Sequence, residues 1–174
     1  MIKLYTLLCI LAFSLANAQP PAMQVSQSGY APIDVNIPST SNDKLIELTK
    51  QWALERERTS PDRGKGSDIT GVTANSITVS GYKRNAFLYR NLGETFEHRI
   101  DYAMKIIFKE NSYNLTFTVT QIYTDSDVPV KSNIADYFTS DGTLKEGYTE
   151  FDKSLNRTVN DMVQSHYNFI ISHR

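Results

Sequence analysis

HRIDYAMKIIFKENSYNLTFTVTQIY, residues 98–123, decides the fold. From His98 to Phe108 every even position is apolar or aromatic after the first: Ile100, Tyr102, Met104, Ile106 and Phe108. The odd positions include Arg99, Asp101 and Lys105. After Glu110-Asn111-Ser112 the phase reverses, so that Leu115, Phe117 and Val119 point one way and Asn114, Thr116, Thr118 and Thr120 the other. A period of two on both sides of a short polar turn predicts a long antiparallel hairpin with one core face and one wet face.

Working outward, Ile77-Thr78-Val79-Ser80-Gly81 and Asp68-Ile69-Thr70-Gly71-Val72 read as a second, shorter hairpin joined through Ala74-Asn75-Ser76. Between the two hairpins, residues 82–96 carry no clear period. Upstream, Ala31, Ile33, Val35 and Ile37 alternate with polar residues, and Pro32 and Pro38 place that strand at a sheet edge. Ser39-Thr40-Ser41-Asn42-Asp43 supplies a helix start, and Leu45, Leu48 and Trp52 then recur at spacings of three and four up to about Arg58. Downstream, Thr124 to Gly147 is polar, with Ile134, Tyr137 and Phe138 as anchors. A last helix follows from the capping-box-like Thr149-x-x-Asp152, its stripe formed by Phe151, Leu155, Val159, Met162, Val163 and Ile170.

The order is strand, helix, four strands, helix. It predicts an α+β fold: one antiparallel, curved five-stranded sheet with both helices on one face and the opposite face bare. Gln19 to Ser28 reads as a flexible leader, and residues 29–174 as a single domain.

Residues 1–18, MIKLYTLLCILAFSLANA, combine a basic start at Lys3, an apolar run and the small-x-small Ala16-Asn17-Ala18. That pattern is a signal peptide cleaved near Ala18, which makes the product exported, periplasmic or secreted. Cys9, the single cysteine, leaves with it, so the mature chain has no disulfide and no thiol chemistry. The remainder holds no run long enough for a transmembrane helix. With 18 Lys and Arg against 19 Asp and Glu, no broad basic field favours nucleic acid.

Chemistry-bearing motifs are scarce. Asp125-Ser126-Asp127 lacks the glycine and the closing Glu of a calcium loop and reads as a solvated turn. Arg63-Gly64-Lys65-Gly66-Ser67 lacks phosphate-loop spacing. His98, His166 and His173 form no metal-ligand pair, and no catalytic, metal or cofactor constellation is recognisable. Two surfaces remain for a partner. Phe87-Leu88-Tyr89 is either an extension of the third strand, a flap over a sheet edge, or an exposed anchor. Thr116, Thr118 and Thr120, beside Arg99, Asp101 and Lys105, form either a plain wet face or a binding surface.

The signal, Leu48-x-x-x-Trp52, the short hairpin around Ile69 to Gly81, the strong hairpin and the closing helix together resemble a family of exported Bacteroidetes proteins. It is domain-of-unknown-function family 4468, with a TATA-binding-protein-like fold. The resemblance covers roughly Ile33 to Ile170. It implies a fold and an envelope location, and no established activity. The expectation is a non-enzymatic module that binds or scaffolds an unknown envelope protein, without nucleic acid or cofactor. A glycan or small-molecule binder using exposed aromatics is the alternative. An enzyme built on His98 and a loop aspartate is a third possibility.

Overall fold

The computed structural model describes residues 19–59 and 67–174. The expected signal peptide, residues 1–18, and the loop motif around Arg63 to Gly66 lie outside the described residues. The elements are β1 (Val25–Ser26), β2 (Gly29–Tyr30), β3 (Ile33–Asn36), α1 (Asn42–Thr59), β4 (Asp68–Val72), β5 (Ser76–Asn91), β6 (Glu94–Lys109), β7 (Ser112–Thr124) and α2 (Phe151–His173). The main sheet runs β3-β7-β6-β5-β4, every neighbour antiparallel, and it is not closed into a barrel. The expected α+β fold is therefore the observed one.

The period of two is realised in the register. Ile100 faces Ile122, Tyr102 faces Val119, Met104 faces Phe117, Ile106 faces Leu115 and Phe108 faces Tyr113. Together with Ile77 and Val79 of β5, they meet Leu45, Leu48 and Trp52 of α1 and Leu155, Val159 and Met162 of α2 in one buried core. At roughly 25 cal/mol per Å² of apolar surface removed from water, this layer is the main term holding the fold. Ser41 caps α1, its carbonyl accepting from Leu45 N at 3.0 Å.

Three features differ from the sequence reading. First, the ambiguous segment 82–96 continues the third and fourth strands into one long hairpin, closed by the two-residue turn Leu92-Gly93. Leu92 and Gly93 have φ of 50° and 85°, the left-handed pair of a tight hairpin turn. Leucine at the first turn position gives none of the Asn-Gly signal that usually marks such a turn.

Second, the leader is ordered from Met23 onward. Met23 is buried, and its N–H donates to Asn160 Oδ1 at 2.8 Å while Asn160 Nδ2 donates to Met23 O at 2.9 Å. Val25 N and the Tyr30 hydroxyl both donate to Asn156 Oδ1, at 2.8 and 3.0 Å. Two asparagines one helical turn apart on α2 thus tie the small β1-β2 hairpin and the residues before it to the helix.

Third, α2 starts without the expected capping box. Its N-cap is Glu150, at φ 74° with no side-chain cap, and Glu150 instead pairs with Arg90 at 3.4 Å. The helix start is tied to the sheet: Arg90 N donates to Thr149 O at 3.0 Å, and Leu88 N donates to Ser154 Oγ at 3.1 Å. This satisfies the β5 edge where β4 no longer reaches it.

Candidate functional site

Even positions of β6 face the helices, so the odd ones form the opposite, open face. Across it run two rows: Thr118, Ala103 and Ser80 in one, and Thr116, Lys105 and Thr78 in the next. Thr118 and Thr120 are exposed and Thr116 half-buried. Thr120 is the extra residue of a β-bulge, since Asp101 faces Gln121 while Tyr102 faces Val119. At the far corner, Lys109 Nζ lies 2.9 Å from Asp34, and the hydrogen bonds of Lys109 and then Asn114 hold that carboxyl below its ordinary range.

The second set of expected partner residues is placed differently. Phe87 is buried, stacked on His98 at 4.8 Å and 3° and edge-on to Phe151 at 4.9 Å. Its ring belongs to the core and is not an exposed anchor, which is the strand-extension reading. Leu88 is half-buried on the edge held by Ser154. Tyr89 is half-buried too, with its ring against His98, Phe96, Tyr137 and Tyr148. The aromatic reserve of the sequence is thus largely spent inside, beneath the Ile134–Tyr137 turn. Burial pushes the His98 imidazole below its ordinary pKa and the Tyr89 hydroxyl above its own.

A constellation that sequence reading split among three segments converges on the open face. Arg99 of β6 lies across from Tyr123 of β7, its guanidinium carbon 3.8 Å from the centre of that ring and 5.4 Å from that of Tyr82. Such stacking pre-orients a guanidinium and leaves its edges for anions. Asp127, on the turn after β7, meets Arg99 Nη1 through Oδ1 at 3.0 Å and Arg84 Nη2 through Oδ2 at 3.3 Å. Asp101 Oδ1 stands 3.6 Å from Arg99 Nη2. Arg99 Nε is buried without a hydrogen-bond partner among the described residues.

Backbone irregularities gather around these side chains. The register between β5 and β6 slips between Lys83 and Phe87, with Asn85 at φ 48°, which aims Arg84 off the regular ladder. Asp127 sits at φ 61°, in a turn where its N–H donates to Thr124 O at 3.0 Å. The Thr120 bulge lies in β7, between the threonine rows and Tyr123. Bulges and left-handed non-glycine residues cluster where a side chain has to be re-aimed. Asp125-Ser126-Asp127 is therefore more than a solvated turn, because one carboxylate is committed to two arginines. The detectable signal was Arg99-x-Asp101 on a wet strand face with Tyr82 and Tyr123 in the same phase. Among the described residues, no group of three or more His, Cys, Asp or Glu could hold a metal ion. No helix among them is long and apolar enough to cross a membrane.

No family model matches the chain, and no curated protein matches it. Among solved structures it is similar to a DUF4468 family protein from Bacteroides ovatus, with a TM-score of 0.53 and 12% sequence identity. The match covers 82% of this chain and 84% of that one. At this identity the likeness is one of fold, and it agrees with the resemblance drawn from the sequence.

Proposed function

We propose that the protein is an exported envelope domain without catalytic activity, which docks another protein on the open face of its sheet. One observation carries this reading: the face opposite the helices presents exposed Thr118 and Thr120 and ends in an arginine pre-oriented between two tyrosines. Stacked arginines with tyrosines are the residue types that anchor interfaces. The signal-like first eighteen residues support the envelope location.

Site-specific photocrosslinking in the native cell envelope tests this. A crosslinker at Thr118 is expected to capture a discrete protein. One at Leu54, exposed on α1, is the control and captures none. Equal labelling from both positions, or none from Thr118, sinks the docking reading.

A further inference from the structure

We propose that the Arg99–Arg84 pair is a receptor for a carboxylate carried by a partner polypeptide, and that Asp127 holds the site as an internal stand-in for that ligand. The inference rests on the docking reading above and names the chemistry of its contact.

Asp127 fills the position as a ligand carboxylate would. Each of its two oxygens serves a different guanidinium, at 3.0 and 3.3 Å, and the two arginines come from different strands. Guanidinium groups match carboxylates through paired N–H donors. Arg99 is fixed before any ligand arrives, because the Tyr123 and Tyr82 rings flank it and only 12% of its side chain is exposed. Asp127 and Arg84 are different, at 46% and 45% exposed, so that half of the cluster opens to solvent. The Arg84–Asp127 pair, exposed on both sides, is weak, on the order of 1 kcal/mol or less, so an incoming carboxylate reaches Arg84 at small cost.

Asp127 sits at φ 61°, in the left-handed region that glycine adopts freely and that Asp and Asn visit more readily than other L-residues. The turn therefore does not demand glycine there, and the aspartate supplies what glycine cannot, one carboxylate shared by two arginines. Asp101, 3.6 Å away, offsets part of the positive charge and sets the site for a single anionic group.

The test uses the folded chain, wild type and Asp127→Gly, titrated at low salt and followed by NMR of the Arg99 and Tyr123 resonances. N-acetyl-diglycine presents a C-terminal carboxylate, N-acetylglutamate α-amide a side-chain carboxylate, and N-acetyl-diglycinamide no carboxylate. At least one carboxylate probe is expected to bind Asp127→Gly about fivefold more tightly than wild type, the factor equivalent to about 1 kcal/mol. Which of the two it is identifies the source of the group. The amide is expected not to bind, and Arg99→Gln added to Asp127→Gly is expected to abolish the response.

Equal affinity for wild type and Asp127→Gly overturns the proposal, as does binding that survives Arg99→Gln. Inorganic sulfate binding as tightly as the carboxylates overturns it too, since the site would then be a general anion patch. Asp127→Asn, which keeps the side-chain length and tolerates a left-handed backbone, is the second variant should the glycine exchange unsettle the turn. Carboxylate binding without a crosslinked partner at Thr118 removes the docking reading alone. A crosslinked partner without carboxylate binding removes this inference alone.

Discussion

His166 Nε2 lies 3.1 Å from Thr49 Oγ1, at the buried contact between the two helices. The Thr49 hydroxyl donates to Leu45 O at 2.9 Å, so it accepts from the imidazole and the proton of His166 sits on Nε2. That leaves Nδ1 buried without a partner among the described residues, with the Trp52 and Tyr113 rings edge-on at 5.1 and 5.4 Å.

Acid stability follows from this geometry. Burial lowers the His166 pKa from 6.5 to about 3. Between those values the unfolded chain binds a proton that the folded chain refuses, so stability rises with pH across the window and is lost as pH falls below 6.5. The slope is on the order of 1.4 kcal/mol per pH unit where the difference is complete. His98, also lowered by burial, adds in the same direction. Urea midpoints measured at pH 7.5 and 4.5 are expected to differ strongly in wild type and much less in His166→Leu. An unchanged difference in the variant would place the acid sensitivity elsewhere.

Leu92 is 98% exposed at φ 50°, so its side chain buries almost nothing and its backbone is strained. Asn tolerates that region better than Leu and is the usual first residue of such a turn before glycine. Leu92→Asn is expected to stabilise the protein by about 0.5–1 kcal/mol, read as a melting temperature higher by about 1–4 °C. A lower melting temperature would mean that Leu92 contributes packing not visible in its exposure.

Phe87 and Thr118, both candidates for partner contact in the sequence, are expected to separate by mutation. Phe87 packs on His98, Tyr137 and Phe151, so Phe87→Ala removes a ring from a close-packed cluster and costs about 3–5 kcal/mol. Thr118→Ala on the open face is expected to stay within about 0.5 kcal/mol. Chemical denaturation of both variants checks this, and similar losses would contradict the assignment of faces.

The contrast between these residues shows what was legible beforehand. Periodicity read the core face of Ile100, Tyr102, Met104, Ile106 and Phe108, and of Leu115, Phe117 and Val119, correctly, because burial on one side of a sheet imposes a period of two. It lost the phase at Phe87, where the β5 bulge after Lys83 inserts residues without a sequence marker. Arg99 and Asp101 were assigned to the wet face, but their convergence with Arg84 and Asp127 depends on bulges and a left-handed turn. Contacts spanning 43 residues, as between Arg84 and Asp127, leave no local pattern. Similarly, a polar, proline-containing leader looks unattached until Asn156 and Asn160 are seen to be its partners.

That attachment gives the last prediction. Asn160 both accepts from Met23 N and donates to Met23 O, replacing a strand neighbour with one amide. Asn160→Asp is nearly isosteric but cannot donate, and it sets a negative charge against the Met23 carbonyl. Loss of a part-buried hydrogen bond with its acceptor left unpaired costs about 1–3 kcal/mol. Some of that loss is confined to the strap, because the main sheet keeps its own ladder from Ile33 onward. Hydrogen exchange is therefore expected to accelerate at the Met23 and Val25 amides more than at Leu115 or Met104. Uniform acceleration across all four would show that the strap and the sheet unfold as one unit, and unchanged exchange at Met23 would show that the asparagine does not hold it.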